Sequence, residues 1–220
     1  LADSYNILGD QHTMSPAEVA IYARAACERA LELDPQLAEA HTSLGYVLMF
    51  YDWDAPAAER AFQRALSLNP SYATGRQWYS EYLCARGRFD EAIVEATRAH
   101  QLDPLSSVIG TTLGDTLYFS RRYDEAIAEL NVIVSLWPEF LHATNDLGRA
   151  LTERGRFDEA IEAFHTAARL SGGDPRSSAG LGRAYALAGR EREAREVLQV
   201  LEEAATHRYV SAFGVATIHA

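Results

Sequence analysis

An all-α solenoid of antiparallel helix pairs is the fold class this sequence predicts, and three observations predict it. The first is a repeat. Gly87-Arg88-Phe89-Asp90-Glu91-Ala92-Ile93 recurs unchanged 68 residues later at Gly155-Arg156-Phe157-Asp158-Glu159-Ala160-Ile161, and a near copy, Arg121-Arg122-Tyr123-Asp124-Glu125-Ala126-Ile127, stands midway at an offset of 34. A fixed period of this length marks a stack of like units, each packing on its neighbours rather than into one globular core. The second is a beat of prolines: Pro35, Pro70, Pro104 and Pro138 lie 35, 34 and 34 residues apart. Each closes an apolar stretch, where the missing N–H and a clash with the preceding turn stop a helix. The third is apolar spacing in steps of three and four, as in Ala40/Leu44/Val47/Leu48 and Ile109/Leu113/Leu117, which lays one apolar face along a helix.

The elements follow in order. Tyr5, Leu8 and Gly9 read as the end of a first helix. Ser15-Pro16-Ala17-Glu18 is a capping box with Pro at the first helical position, opening a second helix that carries Ala23, Cys27 and Ala30 and stops at Pro35. Residues 1–37 therefore form a partial unit. Full units are expected at 38–72, 73–106, 107–140, 141–174 and 175–207, each of two helices of about 12–14 residues. Within each, a short turn with Gly or Arg leads into Phe/Tyr-Asp-Glu-Ala. Its Asp (Asp90, Asp124, Asp158) is expected to cap the second helix. In the unit 141–174, Gly172 stands where the others have proline. Residues 208–220 read as a first helix with no second helix after it. The chain is accordingly expected to be a piece of a longer array. That unpaired apolar helix is a candidate for self-association with a second molecule.

Composition narrows the functions. The formal charge of −11 argues against direct binding to nucleic acid, which attracts clustered basic side chains. All 20 basic residues are Arg. The longest apolar runs, such as Tyr46 to Tyr51, are far too short to cross a bilayer, so no membrane insertion is expected. Cys27 and Cys84 fall on apolar stripes, outside any metal-spaced cluster, and read as buried free thiols in a reducing compartment. The N-terminus shows no basic stretch followed by an apolar one, and a cytoplasmic location is expected.

No phosphate loop, dinucleotide fingerprint, zinc-protease motif or nucleophile elbow is present in the sequence. No two of the seven His have the helical spacing of paired ligands. The repeated Asp-Glu pairs diverge by about 100° around a helix, so they do not converge on a substrate. The expectation is a non-catalytic chain without metal or cofactor.

The residues of the units resemble the tetratricopeptide repeat (TPR) family, over nearly the whole chain. In 38–72 the resemblance is carried by Leu44, Gly45, Leu48, Ala58, Phe62, Ala65 and Pro70; in 107–140 by Leu113, Gly114, Leu117, Ala126, Leu130, Ile133 and Pro138; in 141–174 by Leu147, Gly148, Leu151, Ala160, Phe164 and Ala167. Units 73–106 and 175–207 keep Tyr79, Leu83, Ala92 and Pro104, and Leu181, Gly182, Tyr185 and Ala194. The small residues sit where the two helices of a unit cross, where bulk would push the axes apart. Tyr51-Asp52-Trp53-Asp54, Ser171-Gly172-Gly173 and Arg208-Tyr209-Val210-Ser211 also resemble the TPR tail of large bacterial signalling and transcription-regulatory proteins.

The resemblance implies a right-handed superhelix whose first helices line a concave groove. It implies a scaffold that binds a peptide or helix of a partner protein there. Its groove positions fall on Thr42, Tyr46 and Met49, on Gln77 and Glu81, on Thr111, Asp115 and Tyr118, on Asn145 and Arg149, and on Arg183. Glu39, Glu81 and Asp115 come early in that series and Arg149, Arg176 and Arg183 late, so an acidic, aromatic half and a basic half are expected. Trp53, in the turn with one extra residue, reads either as a loop anchor for a partner or as a cover for its own helix pair. Two other functions remain open: the substrate-selecting part of a larger enzyme, such as a transferase or kinase, and a self-association module.

Overall fold

The structure is a computed structural model that describes residues 1–10, 15–207 and 210–219. Thirteen helices and no strand occur among the described residues. The protein is an all-α assembly of helix pairs, and it divides into two compact units, Leu1–Ile109 and Gly110–Ala220. His12, and Arg208, Tyr209 and Ala220 of the proposed self-association segment, lie outside the described residues.

The first unit holds α1 (Ala2–Asp10), α2 (Pro16–Leu33), α3 (Ala38–Phe50), α4 (Ala55–Leu68), α5 (Ala73–Ala85) and α6 (Phe89–Leu102). The predicted capping box opens α2: the Glu18 N–H donates to Ser15 Oγ at 3.4 Å and the Ser15 N–H to Glu18 Oε2 at 3.2 Å. α3 packs on α4 and α5 on α6, while α1, α3 and α5 lie side by side. The core is aromatic: Tyr46, Phe62, Trp78, Tyr79, Tyr82 and Leu83 are buried together with Ala58 and Ala92. A smaller cluster joins Val19 and Ala23 of α2 to Val47 of α3. Gly45 explains why the pair α3/α4 can close. A Cβ there would lie 2.9 Å from the ring of Phe62, inside van der Waals contact.

The division between units falls within the first turn of α7 (Ser107–Phe119). The second unit continues with α8 (Tyr123–Leu136), α9 (Leu141–Glu153), α10 (Phe157–Ser171), α11 (Pro175–Leu187), α12 (Glu191–Ala205) and α13 (Ala212–His219). From α3 to α12 every helix is 13 to 15 residues long, as the period requires. The glycine device recurs, since a Cβ on Gly148 would lie 2.9 Å from the ring of Phe164. Where proline is missing, Gly172 ends α10 in the left-handed conformation at φ 62°, and the Gly173 N–H donates to the carbonyl of Ala168 at 2.9 Å. α13 packs on α11 and α12, burying Ile218 and half-burying Val215, while its Phe213 stays 79% exposed.

The repeated turn departs from the sequence reading. Asp90, Asp124 and Asp158 do not cap their helices: the N-cap residues are Arg88, Arg122 and Arg156, two positions earlier. Each helix already begins at Phe or Tyr, which leaves the Asp inside the first turn. There its charge favours the positive helix end, although its side chain makes no cap bond. The Arg is held instead by the Glu three residues on. Arg88 Nε and Nη2 each donate to Glu91 at 2.7 Å, and Arg156 donates to Glu159 at 2.7 and 2.6 Å. The Asp serves the next turn in the stack: Asp124 accepts from Arg154 Nε at 2.7 Å, and Asp158 pairs with Arg190 at 3.5 Å.

Candidate partner-binding face of the first helices

The structure separates the predicted groove residues into two classes. Thr42, Tyr46, Gln77, Thr111 and Asn145 are buried, at 0 to 6% exposure. Thr42 sits between α3 and α5, where a Cβ on Gly75 would come within 3.1 Å of its hydroxyl. Tyr46 belongs to the aromatic core, 4.4 Å from the ring of Phe50 and 4.9 Å from that of Trp78. Thr42 and Tyr46 thereby set the spacing between α3 and α5. Met49, Glu81, Asp115, Tyr118, Arg149 and Arg183 are half-buried and remain at the surface.

In the first unit, the surface members are Met49, packed on the edge of the aromatic cluster, and Glu81, which accepts from Gln77 Nε2 at 3.1 Å. Cys84 is half-buried on the same helix, and Cys27 is buried in α2. Burial pushes the Cys27 thiol up to about 12, with the Asp3 carboxylate adding to the shift.

The second unit presents a connected array across α7, α9 and α11. Arg149 is its hub. Its guanidinium pairs with Asp146 at 2.8 Å and with Asp115 at 3.4 Å, and lies 4.4 Å from the centre of the Tyr118 ring. The Tyr118 hydroxyl reaches Glu153 at 3.5 Å, and Glu153 pairs with Arg183 at 2.8 Å. Burial raises the pKa of Asp146 even though Arg149, His142 and Arg176 oppose it. Burial also raises Tyr118, with Glu153 acting in the same direction and Arg149 against it. Asn145, one turn before Arg149, is 6% exposed, and its side-chain oxygen has no hydrogen-bond partner within the protein.

The expected basic half is thus charge-compensated. Asp146 and Glu153, absent from the sequence-derived series, join Asp115 in surrounding Arg149 and Arg183. Their spacing of three before and four after Arg149 on one helix is the signal that finds them. Trp53 resolves in favour of exposure: it is 84% exposed at φ 59° and does not cover its helix pair. Among the described residues no group of His, Cys, Asp and Glu is arranged to hold a metal ion.

Helix pairs of this length, with glycine against an aromatic ring at the crossing, define a helical-repeat protein. The sequence profile of the tetratricopeptide repeat matches residues 54–107 and 111–175, and a second profile of the same repeat matches 151–213. The chain belongs to the tetratricopeptide repeat family. A comparison with curated proteins finds no match. Among solved structures, PilW, described as a widely conserved type IV pilus biogenesis factor, superposes with a TM-score of 0.79 at 19% identity, covering 100% of this chain and 98% of its own. PilF of Pseudomonas aeruginosa gives 0.71 at 20% identity over 94% and 93%. YrrB, described as a TPR protein with an unusual peptide-binding site, gives 0.59 at 21% identity over 79% and 89%. At these identities the likeness is one of fold.

Proposed function

We propose that this chain is a non-catalytic scaffold whose first-helix face binds a peptide or helix of a partner protein. The observation that carries the reading is the array Tyr118–Arg149–Arg183, half-exposed on three successive first helices above the buried Asn145. An aromatic surface beside guanidinium and carboxylate groups already paired with one another suits a peptide carrying an apolar side chain flanked by uncharged polar groups. The Asn145 side-chain oxygen, buried beneath this face without a hydrogen-bond partner, is an acceptor costly to leave unmade. The family places peptide recognition on such faces, and the peptide-binding site ascribed to YrrB supports the same class of ligand.

The finer reading follows from the sequence resemblance: the array is the tail of a cytoplasmic bacterial regulatory protein. Among the described residues no helix is long and apolar enough to cross a membrane. Self-association through 208–220 stands second, because α13 already commits Ile218 and Val215 to its own unit and offers Phe213 alone as a large exposed anchor.

The test is binding of a peptide library by the protein and by a Tyr118→Ala/Arg183→Gln variant, with amide chemical shifts mapping the contact. Peptides that shift α7, α9 and α11 and are lost in the variant support the reading. Peptides retained by the variant, or shifts confined to the second helices, would overturn it. Arg149→Glu is a poor control, since it sets a third carboxylate against Asp115 and Asp146 and disturbs the fold itself.

A further inference from the structure

We infer a second docking point, apart from the first-helix face: the turn between α3 and α4 takes an arginine or lysine side chain of a partner segment against the indole of Trp53. Among the described residues Trp53 is the most exposed of the large aromatic side chains, at 84%, and it holds a left-handed backbone at φ 59°. Its neighbours are fixed. The Tyr51 and Asp52 N–H groups both donate to the Val47 carbonyl, at 3.0 and 3.3 Å, and the Asp54 N–H donates to that of Leu48 at 3.0 Å. The Asp52 carboxylate is paired with Arg24 of α2, and Asp54 Oδ1 accepts from the Ala57 N–H at 3.0 Å as the cap of α4. The turn is therefore rigid on both sides of an indole that touches solvent. Preset geometry of this kind lowers the ordering cost of binding.

The chemistry around the indole selects the occupant. Trp is the best aromatic face for a cation, and here it is flanked in sequence by two carboxylates. One of them shows how the turn receives a guanidinium, for Arg24 already sits on Asp52. The other is open: Asp54 makes its cap bond through one oxygen, and no cation pairs with it among the described residues. The unit around it, Leu1–Ile109, carries 15 carboxylates against eight arginines, so an approaching cation meets a favourable field. Ile21, one turn before Arg24 on α2 and 65% exposed, is an aliphatic side chain open to solvent on the helix that supplies that guanidinium. A basic residue next to an aliphatic one in an extended or helical segment fits these features. An acidic or phosphorylated segment does not.

The experiment measures fluorescence anisotropy of dye-labelled octa-arginine amide and octa-glutamate amide with the full chain. Variants are Trp53→Ala, Trp53→Phe, Asp54→Asn and Arg183→Gln. Octa-arginine is expected to bind and octa-glutamate not. Trp53→Ala should weaken octa-arginine about threefold, the scale of a cation–π contact at an exposed ring, with Trp53→Phe between it and the native protein. Asp54→Asn should weaken it severalfold at unchanged melting temperature, since Asn caps a helix as well as Asp does. Arg183→Gln frees Glu153 and reports any octa-arginine held by the first-helix face; the loss on Trp53→Ala should be the same in that background as in the native one, and a loss that vanishes there would overturn a separate site. Equal binding by Trp53→Ala and the native protein would overturn the proposal, as would absence of octa-arginine binding to the native protein. In the former case the attraction would belong to the net charge alone.

Discussion

Position 121 carries the strain of the repeat. The corresponding turn residues Gly87, Gly155 and Gly189 adopt φ of 72, 71 and 74°, and Arg121 is held at 61°. A side chain in that conformation costs roughly 1–2 kcal/mol, part of which glycine returns through the freedom of its unfolded chain. Arg121→Gly should therefore stabilise by about 1 kcal/mol and raise the melting temperature by about 2–4 °C; a lower melting temperature in circular dichroism would refute this. The glycines at helix crossings act oppositely. Gly148→Leu drives a side chain into the ring of Phe164, 2.9 Å from the position of its Cβ, and should cost about 1–3 kcal/mol. Phe164→Ala in the same chain should recover part of that loss, as a double-mutant cycle in denaturant will show. The pairing of Gly148 with Phe164 was legible in the repeat, because both belong to one unit. That Gly180 also abuts Phe164, with a Cβ position 2.4 Å from the ring, was not legible: the period describes one unit's interior and is silent on what the next unit brings.

The turn before each second helix shows what a motif conceals when read alone. Its residues were plain in the sequence, but which acid does which work depends on where the helix starts. The Glu clamps its own Arg, and the Asp, one residue earlier, reaches the Arg of the following turn. Hydrogen bonds from Arg88, Arg122 and Arg156 hold Glu91, Glu125 and Glu159 below the ordinary glutamate range. A carboxyl lowered on folding stabilises above its unfolded pKa, near 4.3, and that contribution disappears as pH falls through the folded value. Replacing all three by Gln should flatten the loss of thermal stability between pH 5 and pH 3, to about the extent that exposed pairs allow. An unchanged acid slope would show that these clamps are indifferent to folding. The turn at Trp53 escaped a firm reading because one extra residue breaks the period there, and periodicity says nothing of a side chain it does not repeat.

Within Leu1–Ile109 the pair α3/α4 touches helices before and after it, and within Gly110–Ala220 the pair α9/α10 does, whereas α1 and α13 have neighbours on one side within this chain. Amide exchange should be fastest in α1 and α13 and slowest in α9, whose buried face is the most extensive; uniform protection would contradict a nearest-neighbour array. The helix-pair architecture was readable because a period repeats its own evidence. The candidate face was readable only in part. Family positions point to the first helices, yet Thr42, Tyr46, Gln77, Thr111 and Asn145 are buried, and Thr42 and Tyr46 pack between α3 and α5. Conversely, Asp146 and Glu153 pair with Arg149 and Arg183 from positions the pattern does not mark. The Arg154–Asp124 and Arg190–Asp158 pairs have a mechanical meaning for Gly110–Ala220. They lace one edge of the stack through carboxylates 72 and 97% exposed, while the opposite constraint is packed hydrocarbon. Salt weakens the lacing and leaves the packing intact, since the screening length falls from about 10 Å at 0.1 M to about 3 Å at 1 M. The ionic edge of this half therefore contributes little once salt screens it, and the packed helix crossings hold the pairs together under all such conditions.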